Sequence, residues 1–352
     1  MRDVAIVSFA QLPSVRCETQ KNYTEMSVPV IAEAIEKTGL SRREIDFTCS
    51  GSTDYLSGVP FSFVHAVDAI GAWPPISESH VEMDGAWALY EAWVKLQTES
   101  YNTALVYCFG NSSTPNDLVD VLGTQMDPYC VAPLGLDSIG AAALQARTVL
   151  DTTDYTERDF AEVAVRNRLA AKANPNAQLS GDFNVDSILD HPYIASPLRK
   201  HDCAPISDGA AAMLIATGDV ARKICERPVW IRGIDHRIEA HGLGVRDLAR
   251  SSSSAHAAHV AGAADDKIDV AEVYAPFTHQ ELILRDALGL DDDLSVNPSG
   301  GALAANPIMS AGLIRMGEVA SRIWKGEADR GLAHATSGPC LQHNLVAVLE
   351  GE

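Results

Sequence analysis

Tyr274 and His279 are the two side chains whose types and spacing best suit proton transfer. They flank Pro276-Phe277, a stiff turn that precedes a predicted helix over 278–288, with Thr278 as its predicted cap. A histidine exchanges a proton near neutral pH, and a tyrosine hydroxyl donates to or accepts from an oxyanion or alkoxide. Each residue also has a structural interpretation. His279 suits hydrogen bonding at a helix start, and Tyr274 suits a core position with its hydroxyl satisfied.

A glycine-rich loop near the C-terminus is the second candidate. Asn-Pro-Ser-Gly-Gly occupies 297–301, and a second Asn-Pro follows at Asn306-Pro307 before a helix-like run over 308–323. The adjacent glycines Gly300 and Gly301 tolerate backbone angles that other residues resist, so the loop can pass close to a ligand. A turn of this kind is equally compatible with a purely structural role.

The composition argues against some classes of binding partner and favours one cellular compartment. The chain has 352 residues and a formal net charge of −20, which argues against nucleic acid and anionic membranes as partners. Its seven cysteines are odd in number and lack CxxC spacing, so we expect reduced thiols rather than disulfides or a zinc site. The N-terminus shows no apolar signal region, and no run of about 18 apolar residues occurs. We therefore expect a cytoplasmic protein without a membrane span.

Hydrophobic patterns predict alternating strands and helices. Strands are predicted at 4–9, 45–51, 103–110, 204–215 and 229–234, and helices at 28–37, 61–71, 82–97, 141–150 and 157–173. This alternation predicts a parallel α/β core, and the chain length suggests two domains or two fused halves. The segment 111–136 contains few periodic runs. We predict a long loop there, and long loops in compact domains are often functional.

Several segments resemble signatures of the thiolase superfamily, especially its lipid-transfer, sterol-carrier-protein-like group. They lie at 81–89, 207–212, 272–282, 297–307 and 336–344. The resemblance spans nearly the whole chain and implies an α/β thiolase fold, a duplicated five-layered α-β-α-β-α arrangement. The N-terminal half would cover 1–228, including a loop region at about 111–200, and the C-terminal half would cover 229–352. Ala305-Asn306-Pro307 stands where the family usually has Gly-His-Pro.

The family's nucleophilic cysteine is missing. Matching Gly85 to the motif glycine places Glu82 at the cysteine position. Acyl transfer through an acyl-enzyme needs a thiolate at a helix N-terminus, whereas a carboxylate there is a poor acyl acceptor. Glu82 is therefore better interpreted as a helix-capping or structural residue. Cys340 lies near the family's second cysteine loop but past Gly338, and a role as a small buried apolar residue is favoured.

The resemblance also implies roles for individual residues. Tyr274 stands at a family Asn/His position, and the resemblance implies catalytic roles for Tyr274, His279, Asn306 and His343. Asn306 would donate its side-chain N–H to a thioester oxygen. His343, beside the last glycine loop, is the next candidate base, although a surface or interface histidine is the alternative. The implied substrate contacts are Glu82, Gly300, Gly301 and Gly338.

A thiolase scaffold without the cysteine still offers a coenzyme A site and hydrogen bonds for a thioester enolate. The implied function is retro-aldol cleavage of a 3-hydroxyacyl-CoA with a sterol side chain, giving an acyl-CoA such as acetyl- or propionyl-CoA plus a ketone or aldehyde. Within the group, the chain looks most like actinobacterial aldolases of sterol side-chain breakdown. The alternatives are a non-catalytic subunit that supports an active paralogue, and a CoA acyltransferase.

The resemblance further implies an assembly. A zinc-ribbon/OB-fold protein is the expected partner, together with a homodimer or a heterodimer with a second thiolase-like chain. The strand before the nucleophile helix, at 76–81, is expected to pair across the two-fold axis. The chain itself is expected to bind no metal and no cofactor, because coenzyme A arrives with the substrate and zinc is expected only in the partner.

Overall fold

The computed structural model describes residues 1–114 and 118–352. The strands are β1 (Val4–Gln11), β2 (Phe47–Gly51), β3 (Glu78–Val81), β4 (Thr103–Asn111), β5 (Tyr193–Ala195), β6 (Leu198–Arg199), β7 (Asp208–Thr217), β8 (Val229–Ile238), β9 (Val270–Val273), β10 (Ser295–Val296), β11 (Arg330–Ser337) and β12 (His343–Gly351). The helices are α1 (Tyr23–Glu36), α2 (Asp54–Ser57), α3 (Ser62–Ala66), α4 (Gly85–Gln97), α5 (Leu118–Gly123), α6 (Ser138–Thr152), α7 (Glu157–Ala170), α8 (Val185–Leu189), α9 (Gly218–Ile224), α10 (Ser252–Val260), α11 (Thr278–Leu288), α12 (Gly301–Ala304) and α13 (Ala311–Trp324). Turns of 3-10 helix lie at Arg42–Glu44, Val67–Ala69, Ala132–Leu134, Ala171–Ala173, Lys200–Asp202 and Leu243–Val245.

Ten of the strands in the described residues form one mixed sheet that divides into two five-stranded halves. The strand order is β10-β9-β11-β12-β8-β1-β7-β4-β2-β3. In each half, three outer strands run parallel and the two inner strands pair antiparallel. The halves meet at β1 and β8, which pair only at Ala5–Trp230 and Ile6–Val229. The two halves thus repeat the same strand order about a short seam.

Helices fill the space between and outside the two half-sheets. A continuous apolar core contains Trp87 and Leu89 of α4 and Leu313 of α13, together with strand residues of both halves. On the outside, α1 covers the first half, and α10 and α11 cover the second. Strand β7 is buried along its whole length and rich in alanine, so helices pack closely against it. The five-layered thiolase arrangement predicted from the sequence is therefore confirmed.

Some local predictions differ from the structure. The sheet is mixed rather than parallel, because the inner strands of each half run antiparallel. The predicted loop at 111–136 contains α5 and a 3-10 turn, and its residues 115–117 lie outside the described part. A helix of six residues such as α5 is too short for hydrophobic periodicity to reveal. No helix in the described ranges has the length and apolar character to cross a membrane.

A buried ion pair joins β9 to α13 beside the glycine-rich loop. Arg315 Nη1 lies 2.8 Å from Glu272 Oε2, and these side chains are only 3% and 0% exposed. Ser299 Oγ donates to Glu272 Oε2 and accepts from Arg315 Nη1. Losing one partner of such a pair leaves an uncompensated buried charge. The pair therefore fixes the loop at 297–301 against the sheet.

We predict that Arg315→Leu lowers the free energy of unfolding by about 3–5 kcal/mol, because Glu272 is left buried and unpaired. The matched control is Arg322→Leu on the same helix, since Arg322 pairs with the half-exposed Glu327. That control should cost less than about 1 kcal/mol. Urea unfolding of both variants measures the difference, and equal losses would contradict the assignment.

Candidate active site

A cavity of about 230 Å³ lies where the N-terminus of α4, the end of β9 and the loops before α13 and β12 meet. Its walls are mostly apolar, with Leu118, Leu122, Met126, Ile139, Ile206, Phe277, Ile308, Met309, Pro339 and Leu341. Its polar lining includes Asp84, Tyr274 and Asn306. A mostly apolar cavity with a few convergent polar groups is the usual form of a small-molecule site.

Tyr274 and Asn306 form a hydrogen-bonded pair in this cavity. The Tyr274 hydroxyl donates to Asn306 Oδ1 over 2.7 Å, and both residues are buried. Burial, with a contribution from the charge of Asp84, raises the pKa of Tyr274 far above its ordinary value, so the phenol stays protonated. Because Oδ1 is occupied, Asn306 Nδ2 is the group left to donate, and it has no acceptor among the described residues. The sequence predicted separate catalytic roles for the two residues, and the structure places them side by side.

Asp84 is the carboxylate in the described part of the cavity lining. It is 1% exposed and caps α4, with Oδ1 accepting from Ala86 N at 2.8 Å. The same side chain accepts from Gly312 N at 2.9 Å and Leu313 N at 3.1 Å, at the start of α13. A Cβ atom at Gly312 would lie 2.3 Å from Asp84 Oδ1, so this approach requires glycine. Burial raises the pKa of Asp84 to about 6, opposed by the three backbone N–H groups.

Sequence reasoning missed Asp84 and pointed to Glu82 instead. Glu82 follows β3 with its side chain 50% exposed, accepts from Asp54 N at 2.6 Å and does not line the cavity. The sequence contains one signal that could have identified Asp84. It stands immediately before Gly85, and aspartate is a favoured residue at the N-cap of a helix. Matching the motif by its glycine alone ignored that capping position.

The three glycines singled out in the sequence lie in different surroundings. Gly338 lines the cavity, whereas Gly300 and Gly301 do not. Gly300 has φ of 95°, and a Cβ atom there would lie 2.6 Å from the Cβ of Ala171. Gly301 would bring a Cβ atom within 2.8 Å of the Asn297 side chain. These two glycines permit close packing of the loop against the protein itself.

His279 lies behind the cavity wall. It is fully buried on α11, and its Nε2 donates to Gln145 Oε1 over 3.1 Å. Burial lowers the pKa of His279 to about 3, so the imidazole is neutral near pH 7. Gln145 in turn donates to the backbone oxygens of Leu248 and Cys340. His279 therefore does not line the cavity; its ring lies against that of Phe277 in the cavity wall, and its partner Gln145 holds the loop that carries Cys340.

The structure also places His343 and Thr278 away from the cavity lining. His343 begins β12, is half-buried, and its ring centroid lies 6.3 Å from that of Trp87. Burial, with His236 nearby, lowers the pKa of His343. Thr278 does not cap α11, because its hydroxyl donates to Asp202 Oδ1 at 2.8 Å.

No thiol in the cavity is poised as a nucleophile. Cys203 and Cys340 line it, and burial raises their pKa values to about 12 and about 11. Since the thiolate is the reactive form, both remain unreactive thiols at neutral pH. Among residues 1–114 and 118–352, no group of three or more His, Cys, Asp or Glu side chains is arranged to hold a metal ion.

Comparisons with known proteins agree with this architecture. No family model matches the sequence. An acetyl-CoA acetyltransferase of Methanothermobacter thermautotrophicus is 26% identical over 359 residues, covering 94% of this chain and 93% of the relative. A 17-hydroxy-3-oxo-4-pregnene-20-carboxyl-CoA lyase of Mycobacterium tuberculosis is 36% identical over 218 residues, covering 58% of this chain and 55% of the relative.

Two solved structures show the same fold. An Ltp2-ChsH2(DUF35) aldolase matches with a TM-score of 0.81 and 20% identity, over 99% of this chain and 97% of that one. Human mitochondrial 3-ketoacyl-CoA thiolase matches with a TM-score of 0.79 and 14% identity, over 100% and 99%. The chain thus has the thiolase fold. Its predicted resemblance to the sterol-carrier-protein-like group is confirmed as well.

We predict that iodoacetamide at neutral pH labels the exposed Cys17 and Cys130 of the folded protein and leaves Cys203 and Cys340 unlabelled. The reason is that burial keeps the cavity thiols protonated. Peptide mass spectrometry measures the labelling, and the denatured chain, in which all seven cysteines should react, is the control. Rapid labelling of Cys340 would contradict this prediction.

Proposed function

We propose that this chain is a carbon–carbon lyase that cleaves a 3-hydroxyacyl-CoA by a retro-aldol reaction. The observation that carries the proposal is the chemistry of the cavity, which holds a carboxylate, a phenol and an amide but no reactive thiol. Acyl transfer through an acyl-enzyme needs an activated nucleophile. A retro-aldol reaction needs only a base and stabilisation of an enolate. The lyase and aldolase names of two similar proteins support this choice.

Asn306 is the proposed donor to the thioester oxygen. Cleavage of the Cα–Cβ bond moves negative charge onto that oxygen, and a preorganised N–H group stabilises the charge as it develops. The Tyr274 hydroxyl keeps Asn306 Oδ1 occupied, so Nδ2 is directed to the substrate. The backbone N–H of Asn306 donates to Ser207 Oγ at 2.9 Å, which fixes the residue further. Tyr274 thereby contributes by orienting the amide.

His279 is proposed as a positioning residue. Its neutral imidazole holds Gln145 Oε1, and Gln280 Nε2 donates to the same oxygen at 2.9 Å. Gln280 and Cys340 both line the cavity, so this hydrogen-bond network fixes one wall. The acid–base role that the sequence suggested for His279 would require contact with the substrate, and His279 does not line the cavity.

The substrate is proposed to carry an apolar acyl group, because the cavity walls are apolar. A sterol side chain is the finer proposal, supported by the pregnene-carboxyl-CoA named in the Mycobacterium tuberculosis lyase. The products would be an acyl-CoA, such as acetyl- or propionyl-CoA, and a ketone or aldehyde. Coenzyme A arrives with the substrate, and the chain is proposed to hold no other cofactor.

The second candidate function is acyl transfer between CoA thioesters. It is favoured by the acetyl-CoA acetyltransferase, which this chain matches along almost its whole length. The reaction would require a nucleophile other than the cavity thiols. Incubation with acetyl-CoA separates the two functions, because a transferase forms a longer acyl-CoA and the lyase does not.

An assembly is proposed for the active protein. Strand β3 is the last strand of the sheet in the described residues, so its outer edge is free to pair with a second thiolase-like chain, identical or not. Trp73 and Tyr129 are each 87% exposed and Leu134 is 81% exposed, which leaves apolar surface for a further partner. The similar Ltp2-ChsH2(DUF35) aldolase is itself named for two components. By the resemblance, the partner would be a zinc-ribbon/OB-fold protein that holds the zinc.

We predict that Asn306→Ala lowers kcat for cleavage by about 10²–10³ with little change in KM, because its donor acts mainly in the transition state. Tyr274→Phe should lower kcat less, since it removes only the hydroxyl that orients the amide. The control is Tyr155→Phe, whose hydroxyl donates to Asp286 outside the cavity. Product formation from a 3-hydroxyacyl-CoA is measured by chromatography.

The outcomes separate the alternatives. An Asn306→Ala variant with raised KM and normal kcat would make this residue a uniform binding group. A wild-type chain that cleaves no 3-hydroxyacyl-CoA, alone or with an OB-fold partner, would instead support the non-catalytic subunit.

We predict that light scattering finds the purified chain as a dimer or larger assembly, because pairing covers the free edge of β3. A Glu78→Pro change in β3 should weaken this assembly, because Thr48 N donates to Ser77 O and the alternation along the strand turns the N–H of Glu78 to the free edge, where proline removes that donor. The control is Ser187→Pro in α8, outside the sheet. A stable monomer with full cleavage activity would contradict the proposed assembly.

A further inference from the structure

We propose that Asp84 is the base that removes the β-hydroxyl proton of the substrate and then returns that proton to Cα. This inference rests on the proposed retro-aldol function. Asp84 lines the cavity and is the N-cap residue of α4. Its carboxylate is therefore in place to contact a substrate bound in the cavity.

Asp84 has the free capacity that a base requires. Oδ1 accepts two backbone N–H groups, from Ala86 and Leu313, whereas Oδ2 accepts only one, from Gly312. A carboxylate oxygen offers about two lone-pair positions, so Oδ2 keeps one for a proton. Because Asp84 is 1% exposed and lines the cavity, the substrate is the proton donor best placed to reach it.

The surroundings of Asp84 also allow its carboxylate to gain and lose a proton. No described cationic side chain forms a salt bridge with it, in contrast to Glu272, which Arg315 holds as an ion pair. The groups that act on Asp84 electrostatically are Arg315 from α13, Tyr274 from the end of β9 and Cys108 from β4. Burial raises its pKa to about 6, close to the value that suits a base at neutral pH.

The other titratable residues that line the described cavity do not fit this role. They are Tyr55, Cys203, Tyr274 and Cys340, and burial raises the pKa of each. All four are therefore protonated at neutral pH, and none is a base there. Among the described residues that line the cavity, Asp84 is therefore the candidate base.

The proposed step balances without a further reactant. Asp84 Oδ2 takes the β-hydroxyl proton, the Cβ–O bond becomes a carbonyl, and the Cα–Cβ electron pair moves into the thioester enolate. Asn306 Nδ2 donates to the enolate oxygen. The ketone or aldehyde leaves, and the protonated Asp84 then delivers its proton to Cα. The acyl-CoA product is formed, and Asp84 is again a carboxylate.

The test uses the intact chain with any partner it needs. Asp84→Asn should lower kcat/KM for cleavage by about 10²–10⁴, the range for a general base. The control is Asp202→Asn, a buried aspartate outside the cavity that accepts from Arg199 N and Thr278. This control should retain most of the activity. Circular dichroism and thermal melting establish that both variants fold.

Two measurements on the wild type keep the proposal testable even if Asp84→Asn does not fold. The first is the pH profile of kcat/KM, which should fall below about pH 6 as Asp84 becomes protonated and can no longer accept a proton. The second is exchange of the Cα hydrogens of an acyl-CoA product in D₂O, followed by mass spectrometry, because the same base removes that proton in reverse.

The results are distinguishable. Cleavage by Asp84→Asn at near the wild-type rate, or a wild-type profile without the acidic limb, overturns the role of Asp84 and leaves the lyase function standing. A wild-type chain that neither cleaves a 3-hydroxyacyl-CoA nor exchanges the Cα hydrogens overturns the proposed function and this inference with it. Loss of cleavage and exchange in Asp84→Asn, with the acidic limb in the wild type, supports both.

Discussion

The two central helices of this protein begin at one carboxylate. Helix α4 follows β3 and α13 follows β10, which are equivalent places in the two halves of the sheet. The first N–H groups of a helix have no partner within the helix, so two N-termini that meet in the interior need an acceptor. Asp84 is that acceptor for both. The position of the central layer, and of the cavity at its end, depends on this contact.

A second buried carboxylate, Glu281, holds the structure around the cavity. Glu281 accepts from Arg166, from Asn167 and from Asn297, and the Asn297 side chain also accepts from the backbone of Val273. These bonds fix the glycine-rich loop to the end of β9, directly before Tyr274. A buried hydrogen-bond network of this kind restricts the side chains that it joins. Rigidity here places the phenol and the amide within hydrogen-bonding distance although they are far apart in the sequence.

Much of this arrangement could be predicted from the sequence. The strand and helix patterns and the family signatures indicated the fold and pointed to Tyr274 and Asn306, which the structure brings together. The burial of His279 could not be predicted, because it results from α6 and α7 packing over α11, a long-range contact without a local pattern. Asp84 was missed for a related reason. Its sequence context indicates only one helix cap, while its second set of partners lies more than 200 residues away.

The seam between the half-sheets has a consequence for cooperativity. With only two residue pairs joining β1 to β8, the backbone hydrogen bonds contribute little to holding the halves together. The central apolar layer of α4 and α13 supplies most of that cohesion. Asp84 belongs to the first half, whereas Tyr274 and Asn306 belong to the second. An opening of the halves too small to unfold either sheet would therefore separate the carboxylate from the amide, and the proposed catalysis would be lost before the secondary structure.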